Sequence, residues 1–150
     1  MKSSLQKIRN LETYLRNFFL PELECGFSYV TTQGTATTRL ARLAGDQVLS
    51  ARPEIQLTSP QGEGVSYLLD TVIFVLDKDL GNGKTPEGEE EQFDRLQAKA
   101  LEILERIRRD ATEGHCGLLS GLVLYDARIL PQASVFGSWC GFSIEISFQG

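Results

Sequence analysis

The sequence predicts an α+β domain: an antiparallel or mixed β-sheet with an N-terminal helix and a second long helix packed on it. Three stretches predict it. Residues 66–77 are rich in β-branched, aliphatic and aromatic residues without Gly or Pro, which suits a pleated, packed surface. Residues 85–111 repeat apolar side chains at helical spacing. Residues 142–148 alternate strictly between apolar and polar. A chain of 150 residues, 41% hydrophobic and 23% charged, is ordinary for one globular domain with a real core.

In chain order, a first helix is expected over residues 3–20. Ser3 and Gln6 have capping-box spacing, Leu5, Ile8, Leu11, Leu15 and Phe18 make the apolar stripe, and Pro21 ends it. Lys7, Arg9 and Arg16 fall on its solvated side. Residues 27–32 read as a short strand. Residues 33–38 are small and polar and read as a mobile loop or hairpin tip. Over residues 39–50 a short strand and turn are expected. Residues 54–58 alternate as a short strand, and the turn cluster 59–64 returns the chain, so this strand and the next form a hairpin.

The long strand 66–77 is apolar on both faces. Tyr67, Leu69, Thr71, Ile73 and Val75 share one; Leu68, Val72, Phe74 and Leu76 share the other. A strand apolar on both faces belongs in the middle of a sheet, covered on both sides. Asp70 interrupts the second face and is expected near the exposed start of the strand.

The second helix carries Phe93, Leu96, Ala100, Ile103, Leu104, Ile107 and Ala111 on its stripe, with Leu101 at the edge. Thr85 suits the cap and Pro86 the first turn. Acidic residues gather at its start and Arg106, Arg108 and Arg109 near its end, which complements the helix dipole. Gly114 stops it. A strand over 118–129, a connection at 131–134 and the last strand, which packs Phe142, Ile144, Ile146 and Phe148, complete the domain. Phe74, Val75, Leu104, Ile107, Ile144 and Ile146 are expected in one core.

The chain carries a net charge of −5. Seven acids and two bases lie within the acidic loop 77–94, so that segment holds the whole imbalance. No overall basic footprint for nucleic acid is present. No apolar run spans a membrane, and no secretory signal is read at the N-terminus. Cys25, Cys116 and Cys140 are scattered and odd in number, which fits a reducing compartment.

No catalytic, cofactor-binding or metal constellation emerges. Gly83-Lys84-Thr85 follows a strand, but a phosphate-binding loop needs a glycine where Lys78 stands, and the following helix begins with acids. Asp77-Lys78-Asp79 lacks the glycine and the closing Glu of a calcium loop: Asn82 and Gly88 stand there. Loose cation binding by the acidic loop stays open. His115, the single histidine, adjoins Cys116 and has no second histidine for a relay. Cys25, Cys116, Cys140 and His115 lack the paired spacing of structural zinc sites. Glu145 has neither an acid partner nor a pocket in sequence.

The order of elements resembles the tail terminator or tail-completion proteins of tailed phages and phage-like elements: helix, strand cluster, long strand, acidic loop, long helix, two closing strands. The ending Trp139-Cys-Gly-Phe-Ser-Ile-Glu-Ile-Ser-Phe148 looks like the closing strand of such proteins. The resemblance is one of topology and pattern, so no site residue carries over. It implies a non-enzymatic assembly subunit. Such a subunit forms a ring, often hexameric, on the end of a tail tube and joins the tail to the head. Its partners would be its own copies and other tail or head-connector proteins, and its place the host cytoplasm or the virion. No nucleic acid, membrane or cofactor is expected. Thr31, Thr35 and Thr37 in the small polar loop, with Phe136 and Trp139 before the last strand, are the candidate interface. The alternative is a small ligand- or protein-binding module.

Overall fold

The computed structural model describes residues 4–57, 67–79, 85–112 and 117–150. Among them, six strands form one mixed sheet and three α-helices flank it. The strands are β1 (Gly26–Val30), β2 (Gln47–Ala51), β3 (Glu54–Leu57), β4 (Tyr67–Lys78), β5 (Val123–Val135) and β6 (Trp139–Gln149). The helices are α1 (Ser4–Arg16), α2 (Ala36–Leu40) and α3 (Pro86–Thr112). The strand order is β1-β2-β4-β6-β5, with β3 also on β4. Among the described strands, only β1 and β2 run parallel. The α+β class read from the sequence is the observed one.

β2 and β3 lie end to end along the same side of β4. Gln47–Ala51 pairs the second half of β4 and Glu54–Leu57 the first, with one residue inserted between them at Arg52-Pro53. The expected hairpin of β3 and β4 is present, while its turn 59–64 lies outside the described residues.

Alternation on β4 sorts the molecule into two faces. Tyr67, Leu69, Ile73 and Val75 join Phe142, Ile144, Ile146 and Phe148 of β6 in the larger core, under α1 and α3. Leu11 and Leu15 of α1 and Leu96, Ala100, Ile103 and Ile107 of α3 close it. Phe74 and Leu76 point the other way. They pack with Leu49, Val30, Trp139 and the α2 residues Ala36 and Leu40. Below, these are the helical face and the crossover face.

Two polar clasps tie α3 down. The Tyr14 hydroxyl donates to Asp110 Oδ2 at 2.6 Å in a buried link between α1 and α3. At the other end, Arg95 grips Asp46 with two hydrogen bonds of 3.0 Å and reaches Asp77 at 2.8 Å. Lys99 also donates to Asp46. Burial would push the Asp46 carboxyl up, but hydrogen bonds from Arg95 and Lys99, with their charges, hold it below the ordinary aspartate range. Gln92 completes the clasp on Asp77 and the Lys78 carbonyl. The α3 cap forms as expected: Thr85 Oγ1 accepts from the Gly88 N–H at 3.0 Å.

Several expectations need correction. Residues 33–38 are not a loose loop. They make a short 3-10 turn, Gln33–Thr35, and the start of α2, held because Ala36 and Leu40 are fully buried one turn apart. β5 begins later than expected and runs through Pro131, so residues 131–134 are strand, not connection. An edge strand tolerates this proline because its missing N–H faces no partner. Leu5 is exposed and Leu104 only half-buried. The centre of the α3 stripe runs through Ile103 and Ile107, with polar Gln92 and Asp110 buried on the same line. Phe74 belongs to the crossover-face cluster, so the six expected core residues divide between two cores. Ser3, Gly114, His115 and Cys116 lie outside the described residues.

Candidate interface on the half-covered face

The crossover face is built from a short parallel connection. β1 leads through the 3-10 turn and α2 into β2, and a parallel pair requires the chain to cross over the sheet. α2 has only five residues, so it covers one half of the face. That half is apolar: Val30, Leu49, Phe74, Leu76 and Trp139 lie beneath it.

The other half is a groove of about 810 Å³ between the start of the crossover and the β5 edge. Its floor is Asp70 and Val72 of β4 with Glu145 and Ser147 of β6. Arg128 of β5 stands on one side; Thr31, Thr32 and Gln33 with Arg52 and Glu54 stand on the other. Ser147 Oγ donates to Asp70 Oδ1 at 2.6 Å, and Arg128 Nη2 pairs Glu145 Oε2 at 2.6 Å. Nearby, Gln132 donates to Ser143 Oγ at 2.9 Å. Asp70 is held by a neutral hydroxyl and Glu145 by a guanidinium. The lining therefore offers alternating donors and acceptors of both charges, suited to a polar surface or chain segment. A second trough, of about 680 Å³, lies outside α2 and is lined by Tyr29, Thr31, Thr35, Thr38, Arg39 and Arg42.

The five candidate interface residues all reach this side of the sheet, but not in one role. Thr31 is exposed and lines both concavities; Thr35 is exposed and lines the outer trough; Thr37 is exposed on α2. Thr35 Oγ1 donates to the Thr32 carbonyl at 2.8 Å, which fixes the turn rather than leaving the threonines mobile. Trp139 is 2% exposed and packs among Leu40, Phe74 and Leu76, so the indole is core and cannot anchor a partner while the domain is folded. Phe136 is half-buried in the β5–β6 turn at φ +50°, a left-handed backbone costly for a bulky side chain. Its ring meets Phe74 edge-on at 4.9 Å, and that contact offsets the strain. Gly141 beside them is obligatory: at φ +148°, a Cβ would sit 2.1 Å from the Val75 carbonyl oxygen.

Other residues are brought here that sequence reasoning did not single out. Arg128 and Glu54 reach the groove only through strand register, which periodicity does not give. Glu145 and Ser147 carried a signal, the polar side of an alternating strand. Asp70 is half-buried near the start of β4, as expected, and its partner is now defined.

The sheet also ends openly. β5 has thirteen residues and none is buried; among the described residues it pairs only with β6. Val123 and Tyr125 are each 64% exposed. On the far edge β3 is exposed throughout, with Ile55 and Leu57 outward. Among the described residues, no helix is long and apolar enough to cross a membrane. No family model matches the chain, and no curated protein matches it significantly.

Proposed function

We propose that this chain is a non-enzymatic assembly subunit that self-associates into a ring. Its setting is the one implied by the resemblance to tail terminators: the end of a tail tube, where it joins tail to head, in the host cytoplasm or the virion. One observation carries the reading. Among the described residues, half of the crossover face is bare, and it adjoins a long edge strand with no buried residue. A six-stranded sheet that, among the described residues, leaves half a face and an edge uncovered offers contiguous surface for a neighbour. The contact in a ring is heterologous, one surface against a different one on the next copy. Other tail or head-connector proteins would then meet the ring rather than the single subunit.

A second reading is a small binding module, and the groove favours it: about 810 Å³ lined by paired polar groups is large enough for a small polar ligand. Light scattering on the purified chain from micromolar to millimolar concentration separates the two. The assembly reading predicts a mass rising to a discrete multiple of 16.7 kDa. A strict monomer throughout, with a metabolite-dependent rise in melting temperature, contradicts it and leaves the binding module.

A further inference from the structure

We propose that copies of this chain join through the two end strands of the sheet, the outer edge of β1 in one copy receiving β5 of the next. The inference rests on the self-association proposed above and specifies its contact.

Strand polarity permits the join. β1 runs with β2, and direction reverses at each step from β2 through β4 and β6 to β5, so β1 and β5 of one sheet run in opposite directions. Two copies placed side by side in the same orientation therefore bring β1 against β5 antiparallel, and main-chain hydrogen bonds hold the added strand. The two edges differ, so the contact is heterologous and repeats around a ring.

The open backbone groups of the two edges match in face and number. The Gly26 N–H donates to the Asp46 carbonyl, and the Val30 carbonyl accepts from the Arg52 N–H, so Gly26, Ser28 and Val30 turn their backbone groups to β2. Phe27 and Tyr29 turn theirs outward, and among the described residues no hydrogen bond takes them. On the other side, the Asp79 N–H donates to the Ser138 carbonyl and the Gly150 N–H to the Tyr67 carbonyl, which fixes the phase of the β4–β6 ladder at both its ends. Ser143, Glu145 and Ser147 therefore bond Leu130, Arg128 and Asp126 of β5, and Ala127 and Ile129 face outward. Phe27, Tyr29, Ala127 and Ile129 all carry their side chains on the helical face, so pairing them keeps both faces continuous across the join. Setting Phe27 opposite Ile129 and Tyr29 opposite Ala127 uses the regular part of the β5 edge. Sliding two residues one way puts Tyr29 on the irregularity between Leu124 and Asp126. Sliding two the other way puts the Phe27 carbonyl against Pro131, which has no N–H. In the favoured register Asp126 stands opposite Val30 of the next copy on the crossover face, beside the trough of about 680 Å³ outside α2. Arg39 and Arg42 line that trough, and among the described residues neither they nor Asp126 form an ion pair. The carboxylate thus gains guanidinium partners from the neighbour. On the helical face Phe19, 61% exposed with its ring 5.2 Å from that of Phe27, is covered by the arriving Ile129.

Ser28→Cys and Arg128→Cys, directly opposed in this register, test it, with the parent chain oxidised alongside to give the background from its own cysteines. Mixed and oxidised, the two single variants should yield a cross-linked dimer that neither yields alone; a chain carrying both should yield a ladder closing at the ring size. Ala127→Pro removes one outward N–H and leaves the β5–β6 ladder intact, so it should weaken association several-fold while the melting temperature of the monomer holds. Asp126→Arg, and Arg39→Glu with Arg42→Glu, should each weaken association several-fold, and all three together restore it. Dimerisation of Arg128→Cys alone would mean β5 pairs with β5 and would overturn the proposal. So would an oligomer seen by light scattering that never cross-links, although self-association itself would then stand. A monomer at every concentration would remove both.

Discussion

The two faces of this sheet are made by the same strands and end differently. On the helical face, apolar residues of β4 and β6 run the length of the strands and two helices cover them. On the crossover face the apolar run stops at Val72. Glu145 lies directly across from it, Asp70 and Ser147 come beyond, and a five-residue helix covers only the apolar part. The chain spends 27 residues on α3 and five on α2. The helical face builds a core; the crossover face builds half a core and, among the described residues, leaves the rest open as a groove.

That contrast makes quantitative predictions. The largest loss belongs to the helical face: Phe148→Ala should cost roughly 3–5 kcal/mol by denaturant unfolding, because Phe148 is 1% exposed under α1 and α3. A loss below about 1 kcal/mol would mean the core tolerates a cavity there. Next comes the covered half of the crossover face. Leu40→Ala should cost about 2–5 kcal/mol, since Leu40 is fully buried on Leu49 and Phe74. A near-neutral outcome would restore residues 33–38 to a loose loop.

The third effect appears with acid. Asp46 titrates below its unfolded value of about 3.9, through its bonds to Arg95 and Lys99. The stability it supplies is complete above that unfolded value and is lost as pH falls through the folded one. Melting curves from pH 6 down to about pH 2 should therefore fall more steeply for the parent than for Asp46→Asn. Parallel curves would show that the clasp contributes nothing. The smallest effect is on the open half. Arg128 is 62% exposed in its pair with Glu145, so Arg128→Ala should change monomer stability by less than about 1 kcal/mol. A larger loss would make the groove part of the core and erase the contrast between the halves.

Legibility in the sequence followed length and period. β4, α3 and β6 are long; alternation and helical spacing place β4 and α3 within a residue, while β6 starts three residues before its alternating run. α2 was illegible because its five residues include two threonines and its helix is held by burial of Ala36 and Leu40 rather than by propensity. Pro131 argued for a break, and only the edge position of β5 lets the strand run through it. Asp110 and Gln92 sit on the buried line of α3 because Tyr14, Asp77 and Lys78 satisfy them from other elements, a pairing no single segment reveals. At the candidate interface, the sequence alone does not show which side of the sheet the threonines and aromatics take; the structure puts Thr31 and Thr35 at the concavities and Phe136 and Trp139 against the crossover-face core. Trp139 was misread because an aromatic at a strand end looks the same in sequence whether it is core or contact. Register, invisible to periodicity, brought in Arg128 and Glu54.

The central claim is that the half-covered side of the molecule meets its own copies, and hydrogen exchange at two concentrations tests it most directly. In moving from dilute to millimolar protein, amides of residues 123–130 and 31–35 should gain protection while those of α1 and α3 stay unchanged. Protection that is identical at both concentrations, or gained only on α1 and α3, would contradict the account.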